Sequence, residues 1–196
     1  MFDAAAIVLA GGKSQRMGRD KASLLWEGKT MLERTLGMLL PEFPEIVLVG
    51  RTFPDLDPKV HALTDELPGQ GPLGGLVTAL SASGREWNFL VACDMPFLDP
   101  LVFRTLWEYR HLAQAVVPVS AGRCQPLCGL YHRGTLAQAK ALLGADKRSM
   151  MGFLEGVHAY QVPESLCVEK GISPKLFTNL NTPEDYSALV EDRLAH

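Results

Sequence analysis

The stretch Ala4-Ala5-Ala6-Ile7-Val8-Leu9-Ala10-Gly11-Gly12-Lys13-Ser14-Gln15-Arg16-Met17-Gly18-Arg19-Asp20-Lys21 decides the fold. Residues 5–10 form an apolar run with no polar alternation, which predicts a strand buried on both faces. The run stops at two glycines and enters a basic segment. Between Gly11 and Lys21 lie four basic side chains and one acid, in a chain whose net charge is −3. Glycine lets backbone N–H groups come close to a phosphate, and the cations favour a polyanion. A strand running into such a loop places the loop at the ligand-binding end of an open α/β sheet.

Working outward, strands and helices alternate. Residues 45–50, 60–63 and 88–93 read as further buried strands. Residues 115–119 and 124–131 read as two strands around the turn at Ala121-Gly122-Arg123. A helix is expected over 30–40, opened by a Thr30/Glu33 capping box and closed by Pro41. Others are expected over about 76–81, from Asp99-Pro100 towards Gln114, over 135–143 and 149–154, and from Thr182-Pro183 onwards. This order predicts one α/β domain over 1–196. It is a three-layer αβα sandwich around a mostly parallel, Rossmann-like sheet. The resemblance carried by the motifs quoted below implies a nucleotide-binding part of about 1–100 and an acceptor-binding part of about 101–196. Ligands belong at the loops after Ala10, Gly50, Leu63 and Cys93.

Composition sets outer limits. With 196 residues and 47% apolar content, the chain can bury one substantial core. It has no apolar run of about 18 residues, so no membrane span is expected. No secretory signal is read, and a cytoplasmic location is expected. The small negative charge gives no reason to expect nucleic-acid or membrane binding. Cys93, Cys124, Cys128 and Cys167 lack a second Cys/His pair at finger spacing and read as ordinary thiols.

Two glycine motifs need separating from their look-alikes. Gly12-Lys13-Ser14 and Gly28-Lys29-Thr30 resemble the end of a Walker loop. The required first glycine would fall at Ile7 and Ser23, so neither is one. Gly69-Gln70-Gly71-Pro72-Leu73-Gly74 matches the dinucleotide fingerprint, with Asp94 twenty residues further on. However, Asp65-Glu66-Leu67-Pro68 separates it from its strand, and Pro72 removes a donor. These glycines instead read as a loop packed close to a base or ribose. Asp94, ending a strand, suits Mg²⁺, which takes one or two carboxylates and otherwise phosphate oxygens and water. Asp65 reads equally as a ribose or base acceptor or as a turn cap. The scattered histidines get no role.

The segments Leu9-Ala10-Gly11-Gly12, Arg16-Met17-Gly18 and Asp20-Lys21 resemble the signature of nucleotidyltransferases with the nucleotide-diphospho-sugar transferase (glycosyltransferase-A-like) fold. Four later motifs occur in order: Gly71-Pro72-Leu73-Gly74-Gly75, Cys93-Asp94-Met95-Pro96-Phe97, Gln125-Pro126-Leu127 with Leu130-Tyr131, and Asn179-Leu180-Asn181-Thr182-Pro183-Glu184-Asp185. Together they resemble the molybdenum cofactor guanylyltransferase (MobA) family. That resemblance implies GMP transfer from GTP to molybdenum-molybdopterin with Mg²⁺ as cofactor, releasing pyrophosphate. It implies nucleotide contacts from Leu9, Ala10, Gly11, Gly12, Lys21, Asp65 and Asp94, and metal binding by Asp94. It also implies acceptor contacts from Asn179 and Asn181, and transient contacts with other molybdenum-cofactor proteins. The physical reading adds Arg16 and Lys21, beside Asp94, as catalytic groups that neutralise charge on the leaving pyrophosphate. Where such proteins can carry an asparagine after the second strand, this chain has Val47-Leu48-Val49-Gly50-Arg51. Two alternatives keep the chemistry: a cytidylyltransferase for the same pterin, or a sugar-phosphate nucleotidyltransferase. A third is a catalytically silent nucleotide-binding regulator.

Overall fold

The computed structural model describes residues 1–10, 25–26, 28–50 and 55–180. Gly11, Gly12, Arg16, Lys21, Asn181 and the helix expected from Thr182 lie outside the described residues. The described strands are β1 (Ala5–Leu9), β2 (Leu25–Trp26), β3 (Lys29–Thr30), β4 (Glu45–Gly50), β5 (Val60–Thr64), β6 (Trp87–Ala92), β7 (Ala115–Ser120), β8 (Arg123–Cys124), β9 (Cys128–His132) and β10 (Ala159–Val162). The helices are α1 (Met31–Leu39), α2 (Gly71–Ala82), α3 (Pro100–Glu108), α4 (Leu136–Gly144), α5 (Met150–Gly156) and α6 (Glu164–Glu169). β2 and β3 form a small antiparallel hairpin. The main sheet runs β10-β7-β9-β6-β1-β4-β5, with β8 paired to β7. β1 pairs parallel with both β4 and β6, whereas β9 is antiparallel to β6 and β7.

Period-two alternation sorts the strand side chains into two cores, one on each face. Ala6, Val8 and Ala10, with Ile46, Leu48, Phe89 and Val91, meet α1, α3 and α6 on one face. Ile7, Val47, Val49 and Leu90 meet α2, α4 and α5 on the other. The expected αβα layering and mostly parallel sheet are therefore present. β1 is the strand most enclosed: Ala5 to Val8 are fully buried.

α1 starts where its sequence says. The Thr30 hydroxyl accepts the Glu33 N–H at 3.1 Å, and the Glu33 carboxylate accepts the Thr30 N–H at 2.6 Å. This satisfies two donors that a helix end otherwise leaves open. Thr30→Ala is expected to cost about 1 kcal/mol in chemical denaturation, typical of a lost N-cap. A change below about 0.3 kcal/mol would show that tertiary packing alone fixes this end.

Three expectations need correction. α2 begins at Gly71, not near Leu76, and Pro72 sits in its first turn. The glycines are helical because the helix packs too closely for side chains there. A Cβ on Gly75 would lie 2.8 Å from Leu9 Cδ2, and one on Gly74 would lie 2.7 Å from Gln70 Cβ. α3 stops at Glu108 and yields to a 3-10 turn at Arg110–Leu112. The strand expected over 124–131 is broken at Gln125-Pro126-Leu127, where Pro126 has no N–H to give a ladder. β10 and α6 were not anticipated.

Candidate active site

The order of the sheet creates the site. From β1 the chain moves to β4 and β5, then crosses back so that β6 lies on the other side of β1. Connections therefore leave β1 and β6 in opposite directions, and their carboxyl ends flank the crevice where open α/β sheets bind ligands. In register, Leu9 pairs with Ala92. The Cys93 N–H donates to the Leu9 carbonyl at 3.3 Å, and the Ala10 N–H donates to the Val49 carbonyl at 2.9 Å. The exit of β1 is thus stitched to both neighbours before it reaches the glycine loop. Leu9, Ala10 and Asp94 come together here.

Asp94 lies two residues beyond β6 and is half-buried. Its carbonyl accepts the Leu180 N–H at 2.9 Å. That bond brings Asn179, from near the other end of the chain, beside the same loop. The Asn179 side-chain oxygen is buried with no hydrogen-bond partner among the described residues. A buried orphan of this kind costs about 1–3 kcal/mol unless a ligand or water meets it.

Asp65 follows β5, on the β4 and β5 side of β1. Its Oδ1 accepts the Leu67 N–H at 3.0 Å and the buried Thr78 hydroxyl at 3.5 Å. The turn-cap reading of Asp65 is therefore present in the structure, made through Oδ1. Gln70, directly before α2, has its own side-chain oxygen buried without a partner among the described residues. Gly75 lets α2 lie against Leu9 and so narrows the wall between the Asp65 loop and β1.

Arg148 is a residue the sequence reading missed. Its guanidinium donates to Asp146 Oδ1 at 3.1 and 2.6 Å, and to the Gly69 carbonyl at 3.3 Å. This ties an exposed Arg148–Asp146 ion pair to the loop before α2. No local signal marks it, because its partner lies 79 residues away.

The donor set fits a hard cation of the Mg²⁺ type. Among the described residues no group of three His, Cys, Asp or Glu side chains could hold a metal. A single carboxylate at Asp94, completed by phosphate oxygens and water, is how Mg²⁺ binds with a nucleotide. The cysteines do not form such a site. Cys93, Cys128 and Cys167 are buried, and burial pushes the Cys128 thiol far up. No described helix is long and apolar enough to cross a membrane.

Residues 6–160 match the family model described as the MobA-like NTP transferase domain. The chain belongs to this family. A relative in Halalkalibacterium halodurans, named probable molybdenum cofactor guanylyltransferase, is 34% identical, covering 95% of this chain and 97% of its own. One of the same name in a Geobacillus strain is 33% identical, with 95% and 97% covered. Among solved structures, molybdopterin-guanine dinucleotide biosynthesis protein A from Archaeoglobus fulgidus superposes with a TM-score of 0.82 at 23% identity, covering 98% of this chain and 100% of that one. The 4-diphosphocytidyl-2C-methyl-D-erythritol synthase of Anaerococcus prevotii gives 0.76 at 15% identity, with 98% and 96% covered. Both likenesses establish the nucleotidyltransferase fold of this MobA-like chain. Because their names carry different bases, the fold by itself does not select the nucleotide.

Proposed function

We propose that this MobA-like enzyme transfers GMP from GTP to molybdenum-bound molybdopterin, releasing pyrophosphate. The observation that carries the reading is the β1–β6 junction. It sets Leu9, Ala10 and Asp94 side by side at the reversal of strand order, with Asp65 across β1. The guanine and the pterin are supported by relatives above 30% identity over nearly the whole chain that bear the guanylyltransferase name.

In this reading a phosphate oxygen of the acceptor attacks the α-phosphorus of GTP. The new P–O bond forms as the bond to the β-phosphate's bridging oxygen breaks, and pyrophosphate leaves. Backbone groups of Leu9, Ala10 and Gly11 hold the nucleotide, and Gly12 shapes the turn. Asp65 accepts from ribose or base. Mg²⁺, held on Asp94, would draw electrons from the phosphates and screen their charge. Arg16 and Lys21 neutralise the charge that builds on the leaving pyrophosphate. Asn179 and Asn181 bind the acceptor, and the Asn179 oxygen, unpartnered among the described residues, supports the first of these roles. Protein contacts, where they form, would be transient ones with other molybdenum-cofactor proteins in the cytoplasm.

Parallel incubations with GTP, CTP and UTP test the choice of nucleotide. With molybdenum-loaded molybdopterin, pyrophosphate release is expected from GTP at least about tenfold faster than from the others, about 1.4 kcal/mol of discrimination. Release from CTP alone would make the chain a cytidylyltransferase. GTP binding without turnover of any acceptor would make it a regulator.

A further inference from the structure

The segment Gln125-Pro126-Leu127, with Leu130-Tyr131 after it, has no part in the reaction as proposed, yet it lies against the strand that leads to Asp94. β9 runs antiparallel to β6, with Val91 opposite Cys128. Continuing that register sets the β8–β9 corner beside the end of β6. Pro126 has no N–H to give, so the corner depends on its carbonyls. The Gln125 N–H does donate to the Pro118 carbonyl at 2.9 Å. The Gln125 carbonyl accepts the Cys128 N–H at 3.0 Å. The Pro126 carbonyl accepts the Tyr131 hydroxyl at 2.6 Å. The Leu127 carbonyl accepts the Ala92 N–H at 3.1 Å. Successive carbonyls thus have three different donors, and the last donor is the final residue of β6, two before Asp94.

The surroundings of Tyr131 are shaped for its bond. Tyr131 is fully buried on the face that meets α2, α4 and α5. Its side chain leans back along β9 past Gly129, which lies two residues away on the same face. A Cβ on Gly129 would stand 3.2 Å from Tyr131 Cε2, 3.3 Å from its oxygen and 2.6 Å from Val117 Cγ1. The glycine therefore leaves the space through which the phenol reaches the corner. Burial pushes that phenol well above its ordinary range, so the hydroxyl stays a donor at neutral pH. The approach to Asp94 is clamped from two sides. On the β1 side, the Cys93 N–H donates to the Leu9 carbonyl at 3.3 Å; on the other, Ala92 is held by Leu127.

Resting on the metal role proposed for Asp94, we propose that Tyr131 is a positioning residue for that carboxylate. Its hydroxyl fixes the direction of the Pro126 carbonyl. The next peptide then presents the Leu127 carbonyl to Ala92, and the end of β6 is held where Asp94 meets the exit of β1. Loss of the hydroxyl releases the clamp on the β9 side and leaves the one at Leu9, beside the nucleotide loop, in place.

Tyr131→Phe keeps the ring and removes only the hydroxyl. Phe153→Leu is its control. Phe153 is fully buried with its ring centre 5.9 Å from that of Tyr131, so the change loosens the same packing and spares the hydroxyl. GTP binding is measured by calorimetry without metal and with saturating Mg²⁺, well below the Tm of each variant. The ratio of the two Kd values reports how well the chain holds the ion beside the phosphates. Tyr131→Phe is expected to shrink that ratio at least about fivefold and to lower kcat at least about tenfold, with the metal-free Kd within about twofold. Phe153→Leu is expected to lower Tm at least as much and to leave the ratio and kcat within about twofold. In an Asp94→Asn background, Tyr131→Phe is expected to change kcat by less than about twofold, because it acts through that carboxylate. Tyr131 is only a packing residue if its phenylalanine variant keeps the ratio within about twofold, if Phe153→Leu shrinks the ratio as far, or if the Tyr131 and Asp94 losses multiply. If Mg²⁺ does not tighten GTP binding to the unmodified chain, the metal role of Asp94 falls, and the role of Tyr131 with it. Calorimetry uses no pterin, so a chain that binds GTP·Mg²⁺ but transfers nothing would overturn the guanylyltransferase reading alone.

Discussion

Asp94→Asn is expected to lower kcat at least about a thousandfold, some 4 kcal/mol of lost transition-state stabilisation. The substitution keeps the shape of the side chain. The backbone bond from Leu180 to the Asp94 carbonyl does not depend on the carboxylate. Thermal stability is therefore expected to stay close to that of the parent, and GTP binding measured without divalent metal is expected to change little. A residue that only shaped its loop would give the reverse pattern, with a lower Tm and nearly unchanged turnover. Turnover within about tenfold of the parent would remove Asp94 from the metal role.

The largest stability effect is expected on β6, the strand that leads to Asp94. Phe89 is fully buried in β6, and its ring stands 5.1 Å from Phe103, 5.4 Å from Phe43 and 5.7 Å from Phe2. Phe89→Ala removes one of the two rings, with Phe43, that touch every other member of this cluster, and it leaves a cavity that rigid neighbours close only in part. The expected loss is about 3–5 kcal/mol in chemical denaturation. For a chain of this size that corresponds to a Tm lowered by about 6–20 °C. A loss below about 1 kcal/mol would mean that Phe2, Phe43 and Phe103 collapse into the gap.

Much of the fold was legible because its central strands are short and uniformly apolar. Ala5–Leu9 and Glu45–Gly50 needed only hydrophobic runs bounded by glycine. Thr30 and Glu33 mark the start of α1 by chemistry that acts over three residues. α2 was harder. Glycine and proline suggest a loop, but Gly75 stands within the helix because Leu9 occupies the space where its Cβ would lie. That is a tertiary constraint between residues 66 positions apart, and no local pattern carries it. β10 shows the same limit: only Val162 of its four residues is buried, so its burial pattern is too weak to announce a strand.

The site divides in the same way. Asp94 and the Leu9-Ala10 exit were readable because both sit where buried strands stop. The strand order that makes them neighbours is visible only in the folded sheet. Arg148 was not readable, since its meaning comes from the distant Gly69 carbonyl.

The most direct test of the central claim follows the α-phosphate itself. The purified chain is incubated with Mg²⁺, molybdenum-loaded molybdopterin and GTP labelled at the α-phosphorus, and the pterin product is isolated. The expected result is label in the pterin product, one GMP per molecule of acceptor, with one pyrophosphate released for each. Label that stays in guanosine nucleotides, or a pterin product carrying a base other than guanine when all nucleotides compete, would contradict it.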